Sequence, residues 1–275
     1  MSASPLRALF DREREPPVEE AALLIAQDFA PGLDPAATRA ALDALAAPVA
    51  PRLARAADDR EAAALLGTWL FDEQGFRGNE DDYYDPRNSH LHEVVARRTG
   101  IPITLAVVMI AVGRRAGVRV EGIGFPGHFL ARVFGPGAGG GALVDPFFRG
   151  REVTPAALDA LARRALGDPA RLRPEHLAPA DARAVAVRML GNLRGVHEAR
   201  GDHAGALVAC DRLVDLTGSP EARRDRARHL LALGAHEAAA DDLDAWLRAR
   251  PDAPDAGEVR RSVARLRSSA RRPPQ

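Results

Sequence analysis

The stretch from Arg98 to Pro146 constrains the fold more than any other part of the chain. It opens with an apolar run typical of a buried helix and continues with short β-branched segments separated by glycine and proline. Pro102 suits the first turn of the helix, where no main-chain N–H is needed, and Gly117 suits its end. A helix followed by strands with short connections predicts an α+β fold with an antiparallel sheet.

Three strands are expected after this helix. The predicted strands are Val118–Ile123, Phe129–Phe134 and Ala142–Val144. A glycine-rich segment, Pro136–Gly141, lies between the last two and suits a hairpin connection. Adjacent antiparallel strands would bring the start of one strand close to the end of the next.

Polar residues stand at the ends of these elements: Thr104 near the helix start, His128 before the second strand and Asp145 after the third. A nucleophile at a helix start, an imidazole and a carboxylate are the parts of a catalytic triad. Chemistry favours cysteine over threonine here, because a helix N-terminus and a nearby imidazolium lower a thiol pKa to ~3.5–7.5. An internal threonine has no free α-amine as its base, and a first-turn hydroxyl also bonds readily to nearby backbone.

The segment from Gly75 to Asn88 is polar, rich in turn residues and holds both tyrosines of the chain. Long aromatic loops often bind ligands, so a binding groove is one interpretation; the other is that the tyrosines anchor the loop to the core. The candidate groove residues are Tyr83, Tyr84, Asp85, Arg87 and Asn88. Asn88 or Ser89 is expected to cap a helix that ends at Arg97.

Helical patterns also flank the α+β core. Residues 17–72 have apolar stripes at helical spacing and prolines at helix starts, so they are predicted to form helices that precede the core. The first predicted domain therefore covers residues 1–170, with its α+β core at residues 73–170. Gly201 and Gly234 lie 33 residues apart (234 − 201), close to the ~34-residue tetratricopeptide period. An all-α domain is therefore expected at 178–268, with Cys210 as a small buried side chain and a disordered tail at 269–275.

Composition limits the function classes. Arginine and lysine together equal aspartate and glutamate at 38 each, and this balance argues against a generic nucleic-acid binder. No apolar run reaches the ~18 residues of a membrane span, and the N-terminus lacks an apolar signal region, so a cytoplasmic protein is expected.

No cofactor is implied. His90 and His92 would point to different faces of a helix and lack a third ligand, so no metal site is predicted.

Several long strings resemble a known family. The order of helix-start residue, strand histidine and strand-end aspartate is similar to the core of the transglutaminase-like superfamily, which is related in layout to papain-like cysteine proteases. More specifically, the chain resembles the bacterial Sir B-type family, which joins such a domain to C-terminal tetratricopeptide repeats. The strings that carry the resemblance are Asp82–Ser89, Arg98–Leu105 and Gly124–Leu130.

The resemblance implies a site in which Thr104 stands at the nucleophile position, His128 at the imidazole position and Asp145 at the orienting carboxylate. Two functions follow. In the first, the domain is degenerate and the chain is a non-catalytic regulatory protein that binds a protein or peptide partner through its repeats and cleft. In the second, Thr104, His128 and Asp145 are the nucleophile, base and orienting residue of a peptide-amide hydrolase or acyltransferase. Main-chain N–H groups near Ile103 and Thr104 would then stabilise the oxyanion, and Tyr83, Tyr84 and Arg87 would line the substrate groove.

Overall fold

The computed structural model describes residues 4–137, 139–168 and 171–270. The chain divides into two compact units. One unit is Arg12–Met189, and the other joins the residues up to Asp11 with those from Leu190 onward. No helix within the described ranges combines the length and apolar character that a membrane span requires.

Many of the α-helices begin where the sequence supplies a capping side chain or a proline. Asp34, Asp58 and Ser219, for example, each accept a main-chain N–H in the first turn of their helix. The α-helices are α1 (Pro5–Phe10), α2 (Val18–Phe29), α3 (Pro35–Ala46), α4 (Ala50–Leu53), α5 (Asp59–Gly67), α6 (Leu91–Arg97), α7 (Pro102–Arg115), α8 (Pro155–Leu166), α9 (Ala182–Ala199), α10 (His203–Thr217), α11 (Pro220–Ala232), α12 (His236–Ala249) and α13 (Ala256–Ala270). Short 3₁₀ helices cover Pro86–Ser89 and Pro174–Leu177, and a π-helical turn, Thr68–Glu73, extends α5.

The strands form one parallel pair and one antiparallel sheet. Their bounds are β1 (Arg77–Gly78), β2 (Thr99–Gly100), β3 (Val120–Ile123), β4 (Leu130–Val133), β5 (Ala142–Asp145), β6 (Arg151–Glu152) and β7 (Pro179–Ala180). Strands β1 and β2 are parallel, and the sheet has the order β6-β5-β4-β3-β7 with antiparallel neighbours throughout. The three predicted strands are therefore confirmed as β3, β4 and β5, each slightly displaced at its ends.

Helix α7 lies at the centre of the Arg12–Met189 unit. It contacts α2, α3 and α6 as well as β3 and β4, which explains why its side chains are apolar on every face. The predicted core positions Leu105, Val108, Met109 and Val112 are all buried. Each such side chain stabilises the fold by roughly 1.5–3 kcal/mol through its removal from water. A helix fixed on all sides gives a rigid base for the residues at its N-terminus.

The segment before α6 differs from the predicted one. Asn88 and Ser89 do not cap this helix, because both belong to the 3₁₀ helix Pro86–Ser89. Helix α6 begins at Leu91, and His90 is its N-cap residue with no side-chain capping bond. The predicted cap is therefore wrong by one or two residues, since a 3₁₀ turn uses the same start signals as an α-helix.

The other unit contains α9 from Leu190 onward and then α10 to α13, which follow one another as helical hairpins. Gly201 and Gly234 have φ of 69° and 77° in the turns after α9 and α11, which confirms their predicted turn positions. Cys210 is fully buried, as expected of a packing residue. Arg226 on α11 binds Asp242 on α12 through two nitrogens, at 2.6 and 2.7 Å, and this pair fixes the two helices together.

The N-terminal segment was predicted to belong to the first domain, residues 1–170, but its described part groups with the C-terminal helices. Leu6 and Leu9 on α1 are buried in that unit. The Ser4 hydroxyl donates to the Asp215 carboxylate, and Arg7 donates to the Asp215 main-chain oxygen at 3.3 Å. At the other end α13 continues to residue 270, and the rest of the predicted disordered tail, 269–275, lies outside the described residues.

Candidate active site

Thr104 occupies the third position of α7, one turn after the extended residue Ile101. Its side chain is completely buried. The Ile101 N–H donates to Thr104 Oγ1 at 3.1 Å, and the hydroxyl donates to the main-chain oxygen of Asn88 at 2.7 Å. The Ile101 carbonyl oxygen is also near, at 3.1 Å, but the single hydroxyl proton serves the shorter contact. The hydroxyl thus satisfies an otherwise unpaired N–H at the helix start and ties the preceding loop to α7.

Gly100 leaves the room for this arrangement. A Cβ atom at residue 100 would lie 2.8 Å from Thr104 Oγ1 and 3.0 Å from Val94 Cγ1. Such distances are shorter than ordinary contacts, so any larger residue would displace the hydroxyl or the α6 side chain. The glycine before the helix is therefore a packing requirement of the threonine site.

His128 and Asp145 meet at one end of the sheet. In the antiparallel β4–β5 pair Ala131 lies opposite Val144, which places the residues before β4 beside the end of β5. His128 Nε2 lies 2.7 Å from Asp145 Oδ2, and both side chains are buried. The strand order brings the imidazole and the carboxylate together even though 17 residues separate them in the chain.

The Asp145 carboxylate is held on both sides. Its Oδ1 atom accepts the N–H groups of Phe147 at 3.0 Å and Phe148 at 3.3 Å, which fixes the turn after β5. When His128 donates to Asp145 Oδ2, the donated proton is on Nε2. Its other nitrogen, Nδ1, forms no hydrogen bond within the part of the chain that the structure describes. An imidazole oriented in this way is able to accept a proton at Nδ1.

Aromatic side chains surround the imidazole. The Phe148 ring stacks on His128 at 6.3 Å with an interplanar angle of 29°, and the Phe147 ring meets it edge-on at 6.4 Å. Tyr83 in turn packs edge-on against Phe147 at 6.0 Å. The loop tyrosine and the His–Asp pair therefore share one aromatic cluster. Phe147 and Phe148 were not among the predicted site residues, although an adjacent aromatic pair directly after Asp145-Pro146 is an unusual apolar signal.

The loop residues divide into surface and interior groups. Tyr83 and Tyr84 are 40% and 60% exposed, while Asp85 and Asn88 are buried. The Asn88 amide donates to the main-chain oxygen of Asp82 at 2.8 Å and that of Tyr83 at 3.3 Å, so it holds the loop closed. Partial burial raises the pKa of Tyr83, because the phenolate form is disfavoured away from water.

Asp85 binds two arginines. Its carboxylate lies 2.7 Å from an Arg87 guanidinium nitrogen and 3.4 Å from one of Arg97. The hydrogen bond from Arg87 lowers the pKa of Asp85, opposed in part by its burial. Asp85 also accepts the Arg87 N–H at 2.9 Å and caps the 3₁₀ helix Pro86–Ser89. These contacts stabilise the loop that supplies the Asn88 carbonyl oxygen to Thr104.

The structure thus brings some of the predicted site residues into contact with one another and leaves others apart. His128 and Asp145 form a bonded pair, and Tyr83 joins their aromatic surroundings. Thr104 is bonded to the main chain of Asn88 and Ile101. In the described ranges the hydrogen bonds of Thr104 and His128 do not connect the two side chains. The same residues contain no group of three or more potential metal ligands.

The chain is similar to two known families of domains. Residues 36–191 match the model of the transglutaminase-like superfamily, and residues 193–264 match a tetratricopeptide-repeat model. The first match spans more than half of the chain. The chain therefore belongs to the transglutaminase-like superfamily and carries a tetratricopeptide-repeat segment after that domain.

Relatives support this assignment. A UPF0162 protein of Xylella fastidiosa strain Temecula1 is 40% identical over 201 residues, which cover 72% of this chain and 71% of that protein. A UPF0162 protein of Pseudomonas aeruginosa is 35% identical over 207 residues, or 74% and 73% of the two chains. F-box only protein 21 of Mus musculus is 40% identical over 92 residues, which cover 31% of this chain and 14% of the mouse protein. No solved structure matches the chain.

Proposed function

We propose that this member of the transglutaminase-like superfamily is a non-catalytic regulatory protein of the cytoplasm, which binds a protein or peptide partner through its repeat segment and its cleft. The resemblance to the Sir B-type family agrees with such a role. The observation that carries the proposal is the Thr104 hydroxyl, which is buried and donates to the Asn88 main-chain oxygen at 2.7 Å.

A nucleophilic hydroxyl needs a general base within hydrogen-bond reach, about 2.6–3.2 Å. Thr104 Oγ1 instead has its proton directed to a carbonyl oxygen and its lone pair to the Ile101 N–H. Turning the hydroxyl toward a base would leave both main-chain groups unpaired, at a cost of roughly 1–3 kcal/mol for each buried group. The described arrangement therefore favours a structural role for the threonine.

The repeat segment supports the binding part of the proposal. Tetratricopeptide repeats stack helical hairpins into surfaces that are well suited to hold extended partners. In this chain the hairpins are held together by ion pairs such as that of half-buried Arg226 with buried Asp242. A rigid array loses little conformational entropy when a partner binds, and so it retains more of the contact energy as affinity.

A single experiment separates binding from turnover. The purified full chain is incubated with a defined peptide library, and mass spectrometry measures both the peptides retained and any cleavage or deamidation. We expect wild type and His128→Ala to retain the same peptides and to show the same background of chemical change. Turnover that is present in wild type and lost in His128→Ala would overturn the non-catalytic assignment.

The alternative is a peptide-amide hydrolase or acyltransferase, and the observation that favours it is the 2.7 Å contact between His128 and Asp145. In that reaction Thr104 Oγ1 would bond to the carbonyl carbon while its proton passes to His128 Nδ1. The C–N bond would then break, the amine would leave with that proton, and water or an acyl acceptor would release the ester. This function requires a Thr104 rotamer other than the described one, and Asp145→Asn would abolish it.

A further inference from the structure

We propose that a cavity beside Asp145 and Phe148 binds an acidic peptide segment of a partner protein, in which an apolar side chain is flanked by carboxylates. The proposal rests on the protein-binding function proposed above and specifies the chemistry of the partner. The cavity has a volume of about 350 Å³ and lies between the turn after β5, strand β6 and helix α8. That volume is near the lower end of the ~300–1,000 Å³ found for small ligand sites, and it suits one or two side chains.

The walls of the cavity are mostly apolar. Val153 and Leu161 are half-buried at its base, where they pack against the core cluster under the sheet. Ala157 and Ala160 line the α8 side with small, exposed side chains. Phe148 is 45% exposed, so its ring presents an apolar face to a ligand while it stacks on His128. A leucine-sized side chain would remove this surface from water.

Two arginines give the cavity its charge. Arg151 on β6 and Arg164 on α8 both line it and are exposed. Neither forms an ion pair with any residue in the described ranges. A guanidinium with no protein partner is available for the paired hydrogen bonds that it makes to a carboxylate.

The acidic residues near the cavity do not cancel this charge. Glu152 lies 3.0 Å from an Arg60 nitrogen and is paired there. Both oxygens of Asp145 are used, one by His128 and the other by the N–H groups of the following turn. The two arginines are therefore the lining charges without an ion-pair partner in the described ranges, and a complementary ligand carries carboxylates beside its apolar side chain.

Helix α8 supplies a matched comparison. Ala157, Ala160 and Arg164 are spaced three and four residues apart and lie on one face of the helix. The neighbouring Arg163 points away from this face and binds Asp159 at 2.7 Å. Arg163 and Arg164 thus share a helix, a charge and an exposed position, but only Arg164 lines the cavity.

The test uses a fluorescein-labelled, amide-capped peptide with one leucine flanked on each side by glutamate, titrated with the purified full chain by fluorescence anisotropy. We expect this peptide to bind at least ten-fold more tightly than one with lysine in place of glutamate or serine in place of leucine. Arg151→Gln and Arg164→Gln should each weaken binding about ten-fold, as expected for loss of one charge-assisted hydrogen bond. Arg163→Gln should bind like wild type, and Ala160→Trp should fill the cavity and abolish binding.

Two outcomes would overturn the cavity assignment: no preference for the acidic apolar peptide, or an equal loss in Arg163→Gln and Arg164→Gln. Circular dichroism of each variant separates lost binding from lost folding, and Arg164→Gln lies on an exposed helix face where folding should persist. Mass spectrometry of the bound peptide keeps the two proposals apart. Cleavage of the peptide would contradict the non-catalytic function while leaving the cavity assignment intact, whereas absent binding would contradict only the cavity.

Discussion

The Thr104 hydroxyl lies 2.7 Å from the main-chain oxygen of Asn88 and connects the start of the central helix to the loop before it. The hydroxyl oxygen also accepts the Ile101 N–H at 3.1 Å. One buried side chain thus satisfies a main-chain donor and a main-chain acceptor from different segments. At the position where the resemblance to the family would put a nucleophile, this chain has a structural hydrogen bond.

Replacing Thr104 by valine should destabilise the protein, because valine keeps the shape of threonine but leaves two buried main-chain groups unpaired. We expect Thr104→Val to lower the free energy of unfolding by roughly 1–3 kcal/mol, measured by urea denaturation. Thr104→Ser keeps the hydroxyl and is the matched control, with a smaller loss from the missing methyl group. Equal stability of Thr104→Val and wild type would show that the hydroxyl bonds contribute nothing.

A cysteine at position 104 tests whether the site retains latent chemistry. In a Cys210→Ala background, Thr104→Cys has one thiol, and its alkylation by iodoacetamide at neutral pH is followed by mass spectrometry. We expect slow alkylation, because the side chain at this position is buried and directed at the main chain.

Fast alkylation that disappears in the His128→Ala variant of the same protein would contradict this expectation. It would show that His128 reaches position 104 closely enough to ionise a thiol. Fast alkylation that persists in His128→Ala would instead indicate an exposed thiol without a base, and it would contradict only the burial of the position. The two variants therefore distinguish an activated thiol from an accessible one.

Gly100→Ala should be strongly destabilising for a steric reason. The new Cβ would lie 2.8 Å from Thr104 Oγ1 and 3.0 Å from Val94 Cγ1 in a packed region. We expect a loss of about 1–3 kcal/mol in the free energy of unfolding, as for other overpacked cores. Gly32→Ala is the control, since no atom lies within 4 Å of the position that its new methyl group would take, and the exposed site should tolerate alanine. A similar effect of the two substitutions would contradict the proposed packing around Thr104.

The Arg87–Asp85 pair should make stability depend on acid pH. The hydrogen bond from Arg87 lowers the pKa of Asp85 in the folded protein. The unfolded chain therefore binds a proton at a higher pH than the folded one, and the stabilisation is full above the unfolded pKa of about 3.9. It is lost as the pH falls through the lower folded pKa.

The measurement is the free energy of unfolding at a series of pH values from neutral to strongly acidic. Asp85→Asn should be less stable than wild type near neutral pH, and the difference should shrink as the pH falls. Asp81→Asn is a suitable control, because that aspartate is exposed in the same loop. A difference between wild type and Asp85→Asn that stays constant over the whole range would contradict the assignment.

The proximity of His128 and Asp145 could be predicted from the sequence, because short apolar segments and turns indicate the strand order and the antiparallel pairing. The turn glycines 201 and 234 were equally predictable, since a fixed repeat period marks them. The Thr104–Asn88 bond was not predictable in the same way. It joins residues 16 positions apart through a loop whose path depends on Asn88 and on the ion pairs of Asp85.

The aromatic surroundings of His128 show the same limit. Phe147 and Phe148 follow Asp145 closely in the sequence, yet their packing on the imidazole depends on a turn that the Asp145 carboxylate itself fixes. Likewise, the start of α6 was misplaced because the signals of a 3₁₀ turn and of an α-helix are the same over four residues. Local patterns therefore predicted the elements, and side-chain bonds between elements determined the site.

Cys210 should report on unfolding of the repeat segment. It is fully buried on α10, and burial raises the pKa of its thiol to about 12. Little of the thiol is therefore present as the reactive thiolate near neutral pH, and the buried sulfur is inaccessible to reagents in the folded state. We expect the native protein to react very slowly with Ellman's reagent, at a rate that rises with urea in parallel with the loss of helical circular dichroism.

Leu213→Ala, which removes a buried side chain from the same helix, should speed the reaction by destabilising the fold, while the exposed substitution Arg248→Gln should not. Rapid reaction of the native wild type would contradict the buried, protonated state of this cysteine.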